Sequence, residues 1–104
     1  MWARLTRIPG LAPERIDEAV SMFEEQELPL LEQSEGFEGI TVMVDPALGT
    51  VAAMSLWDTQ QHMRDSEKHA HQAREQAIER GGGSERPGPQ RDTVVEHLEV
   101  KLSR

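Results

Sequence analysis

An α+β fold is predicted for this chain, in the order β-α-β-β-α-β with one four-stranded antiparallel sheet and two helices on one of its faces, and three observations predict it. Four β-rich runs, Trp2 to Ile8, Phe37 to Val44, Thr50 to Trp57 and Thr93 to Leu102, are each bounded by Pro, Gly or polar turn residues. Two stretches between them, from Pro13 past Phe23 and from Asp58 to about Arg80, repeat apolar residues at three- and four-residue steps. The 104 residues, 37% of them hydrophobic, are enough for one core only, so all six elements must share it as a single domain. That order is the split β-α-β arrangement of ferredoxin-like folds.

The first strand alternates and ends at Pro9-Gly10, a turn pair. Pro13 then occupies a first helical position. Leu11 and Ile16 are placed as a hydrophobic staple, and Glu14, Asp17 and Glu18 suit the positive end of a helix dipole. Ile16, Ala19, Val20 and Phe23 form the apolar stripe, which Leu30 or Leu31 continues beyond Pro29. Pro29 lacks a backbone donor and is expected to kink or end the helix. Eight acidic residues between Glu14 and Glu35 face a single Arg15, so this helix carries nearly all of the net charge of −8. An acidic docking face and a merely solvated helix surface both account for that run.

Phe37 to Val44 and Thr50 to Trp57 flank Asp45-Pro46-Ala47-Leu48-Gly49, which reads as a five-residue hairpin loop. With Val44 opposite Thr50, the residues Ile40, Val42, Val44, Ala52, Met54 and Leu56 share one face, expected beneath the helices. The opposite face then holds Phe37, Thr41, Met43, Val51, Ala53, Ser55 and Trp57. Asp58 and Gln61 have capping-box spacing, and Met63, Ser66, Ala70, Ala73 and Ala77 make the inward stripe of the second helix. Gly81 to Asp92 has the composition of a flexible loop. It follows a helix and lacks a Gly-Lys-Ser/Thr ending, which argues against a phosphate-binding loop. The last strand puts Val95, His97, Glu99 and Lys101 on one side and Val94, Leu98, Val100 and Leu102 on the other.

Composition excludes several functions. Nineteen acidic against eleven basic side chains repel phosphate backbones and anionic lipid, so neither nucleic acid nor a membrane surface is an expected partner. The absence of Cys rules out thiol chemistry; with no signal-peptide pattern at Met1 to Leu11, it predicts a cytoplasmic protein. A bare sheet face carrying Phe37, Met43, Val51, Ala53 and Trp57 would be a contiguous apolar patch, and a second copy of the chain is the simplest cover. A homodimer is therefore expected.

The Gly36-Phe37-Glu38-Gly39 lead-in to the second strand, the Val44-Asp45-Pro46 turn and the Ser55-Leu56-Trp57-Asp58 exit of the third resemble the antibiotic biosynthesis monooxygenase (ABM)-like family of the dimeric α+β barrel superfamily. The resemblance runs from Trp2 to Leu102. It implies a homodimer whose sheets pack into a barrel, with a small-molecule cavity between sheet and helices in each subunit. It also implies three activities to weigh: cofactor-independent oxygenation of aromatic polyketides, quinol oxygenation and haem degradation. The resemblance places Trp57 where haem-degrading members line the haem pocket, beside an Asn and an axial His. This sequence has no Asn, and Glu67 stands where the axial ligand would be sought, which disfavours haem degradation.

Among the histidines, His69 and His71 point to opposite sides of a helix, and His62 and His69 lie two turns apart, about 10 Å, so neither pair chelates one metal. No metal and no cofactor is expected. His97 alternates onto the mixed face, either as a general base whose ordinary pKa lies near neutrality or as an interface residue. A cofactor-free oxygenase needs an apolar pocket and a group to deprotonate a phenol so that its anion meets O₂. The candidates are His97 as base, Arg4 for the oxyanion and Trp57 as a positioning ring, with Thr6, Thr41, Ser55, Phe37 and Met63 binding the substrate. Against this, polar groups on a sheet face also bond across subunit boundaries without doing chemistry, and a chain without Tyr has few rings for a stacking pocket. A small-molecule oxygenase and a non-catalytic barrel that binds a small apolar ligand, or serves as an assembly module, both remain open.

Overall fold

The computed structural model describes residues 1–82 and 93–104. Strands β1 (Trp2–Ile8), β2 (Phe37–Asp45), β3 (Thr50–Trp57) and β4 (Val94–Glu99) form one sheet in the order β2-β3-β1-β4, antiparallel throughout. This is the ferredoxin-like α+β arrangement that the order of elements predicts. β4 stops at Glu99, three residues short of the alternating run.

Helical structure between β1 and β2 comes in four pieces: a 3₁₀ turn at Pro13–Arg15, α1 (Ile16–Met22), a π-helical turn at Phe23–Glu27, and α2 (Leu28–Glu32). Pro29 lies in the first turn of α2, where a missing N–H costs little. The helix therefore widens into a π turn ahead of Pro29, with the Leu28 N–H donating to the Phe23 carbonyl. After β3 the cap is Thr59 rather than Asp58. Its backbone is extended, and its Oγ1 accepts from the His62 N–H at 3.1 Å. The second helix is also divided at Ser66, into α3 (Gln60–Asp65) and α4 (Glu67–Arg80). At its end Gly81 and Gly82 are buried, and the Gly81 carbonyl accepts from the Ala12 N–H at 2.8 Å. These two glycines thus belong to the packed structure, and the rest of the expected loop, residues 83–92, lies outside the described residues.

The hairpin corrects the sequence reading. Asp45 enters the ladder opposite Thr50, so Val44 faces Val51, Val42 faces Ala53 and Ile40 faces Ser55. The loop is one residue shorter than expected. Asp45 closes it by accepting the Ala47 and Leu48 N–H groups at 3.0 and 3.1 Å, while Gly49 takes φ +72, a conformation a side chain would strain. A one-residue slip exchanges the faces of a strand. Val51, Ala53, Ser55 and Trp57 therefore lie under the helices with Arg4, Thr6 and Ile8, and the uncovered face carries Thr41, Met43, Ala52, Met54, Leu56 and, on β1 and β4, Leu5 and Leu98. An irregularity between Phe37 and Gly39 returns Phe37 to the side of Trp57. Two core clusters result, one of Ile8, Leu11, Ile16, Val51 and Ile78, the other of Leu31, Trp57 and Met63 with Trp2, Phe23, Phe37 and Ile40 around it.

Candidate functional site

Between the covered sheet face and the helices lies a cavity of about 70 Å³. Its walls are mostly hydrocarbon, from Ile8, Ile40, Val42, Val51 and Ala53 on the strands and Phe23, Leu31 and a row of alanines on the helices. Ala70, Ala73 and Ala77 leave this space because their side chains toward the sheet are single methyl groups. The polar groups on the wall are Arg4, Thr6, Ser55 and Arg74.

Arg4 is placed by β1 and held by the break between α3 and α4. Its side chain is 3% exposed, and its Nη2 donates to the Met63 carbonyl and to Ser66 Oγ, the latter at 2.9 Å. The Ser66 hydroxyl itself donates back to Met63 at 2.7 Å. A cation is well suited there, because the last carbonyls of a helix form the negative end of its dipole. Arg4 Nε lies 3.1 Å from Glu67 Oε2, an ion pair by distance that lacks the alignment of a hydrogen bond. The other oxygen, Glu67 Oε1, accepts from Arg74 Nη2. His97 Nε2 stands 3.8 Å from Glu67 Oε2. The Arg4 guanidinium also lies 5.7 Å from the centroid of the Trp57 ring, within cation–π range.

Burial lowers the Arg4 pKa while the Glu67 charge raises it, and the net is a decrease. Burial also pushes the Glu67 carboxyl up, but the Arg74 hydrogen bond and the charges of Arg4, Arg74 and His97 outweigh it and leave Glu67 below its ordinary value. A guanidinium titrates so far above neutrality that the group stays charged despite the decrease. The wall therefore holds two guanidiniums, and the Glu67 carboxylate that pairs with them stands behind it.

The expected site residues part company here. Arg4, Thr6 and Ser55 meet on the cavity wall. Trp57 is fully buried behind them, its Nε1 donating to Ser55 Oγ at 2.9 Å and its ring meeting Phe37 edge-on at 5.4 Å between centroids. Phe37 and Met63 belong to that same packed cluster and do not line the cavity. Thr41 lies on the opposite sheet face and is exposed, a direct consequence of the hairpin register. His97 pairs with Arg4 in the ladder and reaches Glu67, but it stands outside the cavity wall. Sequence reasoning passed over Ser66 and Glu67 as partners of Arg4, and Arg74 as the partner of Glu67. The signal was present: Glu67 and Arg74 are two turns apart on one side of α4, and Arg74 sits among Ala70, Ala73 and Ala77 at helical spacing.

Among the described residues, no three His, Cys, Asp or Glu side chains converge as a metal site, and no helix is long and apolar enough to cross a membrane. No protein-family model and no curated protein matches the sequence. Solved structures do match the fold. A monooxygenase from the gene ActVA-Orf6 of Streptomyces coelicolor, in complex with nanaomycin D, superposes with a TM-score of 0.72 at 14% identity, covering 99% of this chain and 89% of the other. SnoaB, a cofactor-independent oxygenase from Streptomyces nogalater, gives 0.57 at 12% identity over 98% of this chain and 94% of the other. A putative antibiotic biosynthesis monooxygenase from Bordetella bronchiseptica gives 0.60 at 18% identity, with 97% of each chain covered. Over nearly its whole length, the chain has the ferredoxin-like α+β fold of the antibiotic biosynthesis monooxygenase structures.

Proposed function

We propose that this protein is a cytoplasmic, cofactor-independent monooxygenase of a small phenol or quinol, working as a homodimer. The observation that carries the reading is the buried, charged Arg4 guanidinium on the wall of a mostly apolar cavity, in a fold whose solved examples include a cofactor-independent oxygenase. In such a wall Arg4 stabilises a phenolate far better than water-exposed charge would, because the surroundings are poorly polarisable. The Thr6 and Ser55 hydroxyls orient the ring. The Glu67 carboxylate links Arg4 to His97, so His97 stands behind that pair and not against the ring, and the phenol's proton passes to water. Trp57 acts through Ser55 and Arg4, whose positions it sets. The overall change balances as a phenol plus O₂ giving a quinone plus water, with the substrate supplying all four electrons.

The homodimer forms through the uncovered face, where Met43 and Leu98 are 49% and 44% exposed. Phe37, Val51 and Ala53 are excluded from that interface because they lie on the other face.

The cavity volume favours a second reading, a binding module. About 70 Å³ is roughly half of what admits benzene, so a phenol enters only if the helices yield. Oxygen uptake with a panel of phenols and hydroquinones, without added metal or flavin, separates the two. Turnover is expected, falling about 100-fold or more in Arg4→Gln as for loss of an oxyanion-stabilising donor. Binding of the same compounds with no oxygen uptake would leave the binding module.

A further inference from the structure

We propose that the cavity selects a small apolar acid, bearing one carboxylate, over its neutral counterpart, and that Arg74 takes the anionic group. The inference rests on the reading of this cavity as a ligand site and adds the chemical class of the ligand.

Charge on the wall is unbalanced. Arg4 and Arg74 both line the cavity, and among the described residues Glu67 is the carboxylate that pairs with them. Glu67 Oε1 accepts from Arg74 Nη2, while Oε2 lies within ion-pair distance of Arg4 and His97 but accepts no hydrogen bond, so Glu67 leaves Arg74 Nη1 unmatched. Arg74 is 14% exposed, and its Nη1 is buried with no hydrogen-bond partner. A buried donor on a charged group is costly to leave unpaired. Thr6 and Ser55 are the other polar side chains on the wall, and Ser55 Oγ is occupied by the Trp57 indole. A neutral amide or alcohol satisfies the Nη1 donor only weakly, whereas a carboxylate accepts a charge-assisted bond and offsets the excess positive charge. The rest of the ligand must be hydrocarbon, since Phe23, Ile40, Val42 and the α4 alanines offer nothing else.

One effect opposes this. The chain carries −8 overall, which repels anions on approach. Screening within about 8 Å at physiological salt confines that repulsion to the exposed acidic helix, while a buried contact is screened much less. The preference therefore survives ordinary salt.

The test is a titration of the full chain with propionate and with propionamide, followed by calorimetry or amide chemical shifts. Propionate is expected to bind at least about tenfold tighter, the worth of one charge-assisted hydrogen bond. Arg74→Gln should erase that preference, and Arg74→Lys should restore part of it. Equal affinities, no binding of either compound, or a preference that persists in Arg74→Gln would each overturn the proposal. Equal affinities in the wild type overturn the proposal even if the variants fold poorly. Oxygen uptake keeps the two readings distinct. Phenol turnover without any preference for acids would remove this inference and leave the oxygenase, and acid binding without turnover of any phenol would do the reverse.

Discussion

Arg4 keeps its charge while almost wholly buried because four groups from a distant stretch of chain surround it: the Met63 carbonyl, the Ser66 hydroxyl, the Glu67 carboxylate and the Trp57 ring. The arrangement makes the two ends of the ion pair unequal. Glu67→Leu leaves Arg4 buried beside Arg74 with no counter-charge, and removing one partner of a buried pair costs about 3–5 kcal/mol. Glu67 is itself 38% exposed, so water screens part of the loss and about 2–3 kcal/mol is expected. Arg4→Met removes the buried charge as well. Ser66 and Met63 then still bond each other, Glu67 keeps Arg74, and the cost should be only about 1–2 kcal/mol. Urea unfolding of both variants measures the order, and a more damaging Arg4→Met would contradict this account.

At the scale of elements, the joints carry information that the periodicity does not. His62 bridges two of them, with Nδ1 at 2.7 Å from Asp58 at the end of β3 and Nε2 at 3.4 Å from Glu35 in the turn before β2. Gly36 permits this clasp, since it takes φ +83 and a Cβ there would fall 2.2 Å from Asp58 Oδ1. The hydrogen bond to Asp58 raises the His62 pKa, helped by the charges of Asp58, Glu35 and Asp65, and the same bond lowers that of Asp58. The stability contributed by His62 is therefore complete below its unfolded value of 6.5 and lost as pH rises through the higher folded value. That contributed by Asp58 is complete above 3.8 and lost as pH falls through its lower folded value. Melting temperatures between pH 5 and 8 should fall less steeply with rising pH in His62→Gln than in the wild type. Parallel curves would show that the clasp is idle. The sequence suggested Asp58 as a helix cap because its spacing to Gln61 fits. Thr59 takes that place because its backbone is extended and its hydroxyl is in reach of the His62 N–H.

For the molecule as a whole, the hairpin register decides which surface is free to meet a partner. Met54 faces outward and Ala53, its neighbour, faces the cavity. Met54→Glu should leave the fold intact and shift sedimentation toward the monomer, because a charge in an apolar interface is not compensated. Ala53→Glu should instead lower the melting temperature sharply at any protein concentration, because it puts the carboxylate under the helices. A monomeric wild type at micromolar concentration, or no change in assembly with Met54→Glu, would remove the dimer.

The amino-acid sequence by itself determined the order of elements, the single core and the antiparallel sheet, since strand alternation, helical stripes and Pro-Gly turns are local patterns that need no partner to be read. It also brought out Arg4, Thr6 and Ser55, which alternation places on one face. Only the tertiary structure decided which face that is. A choice of one residue in the hairpin, made by Asp45 pairing with Thr50 and closing a shorter loop, moved Val51 and Ala53 under the helices and Thr41 out to the surface. The charged wall was decided the same way. Arg4 meets Met63, Ser66 and Glu67 about 60 residues further along the chain, and no local rule of spacing encodes such a contact. Packing brings these residues together, and burial then makes their charges dependent on one another.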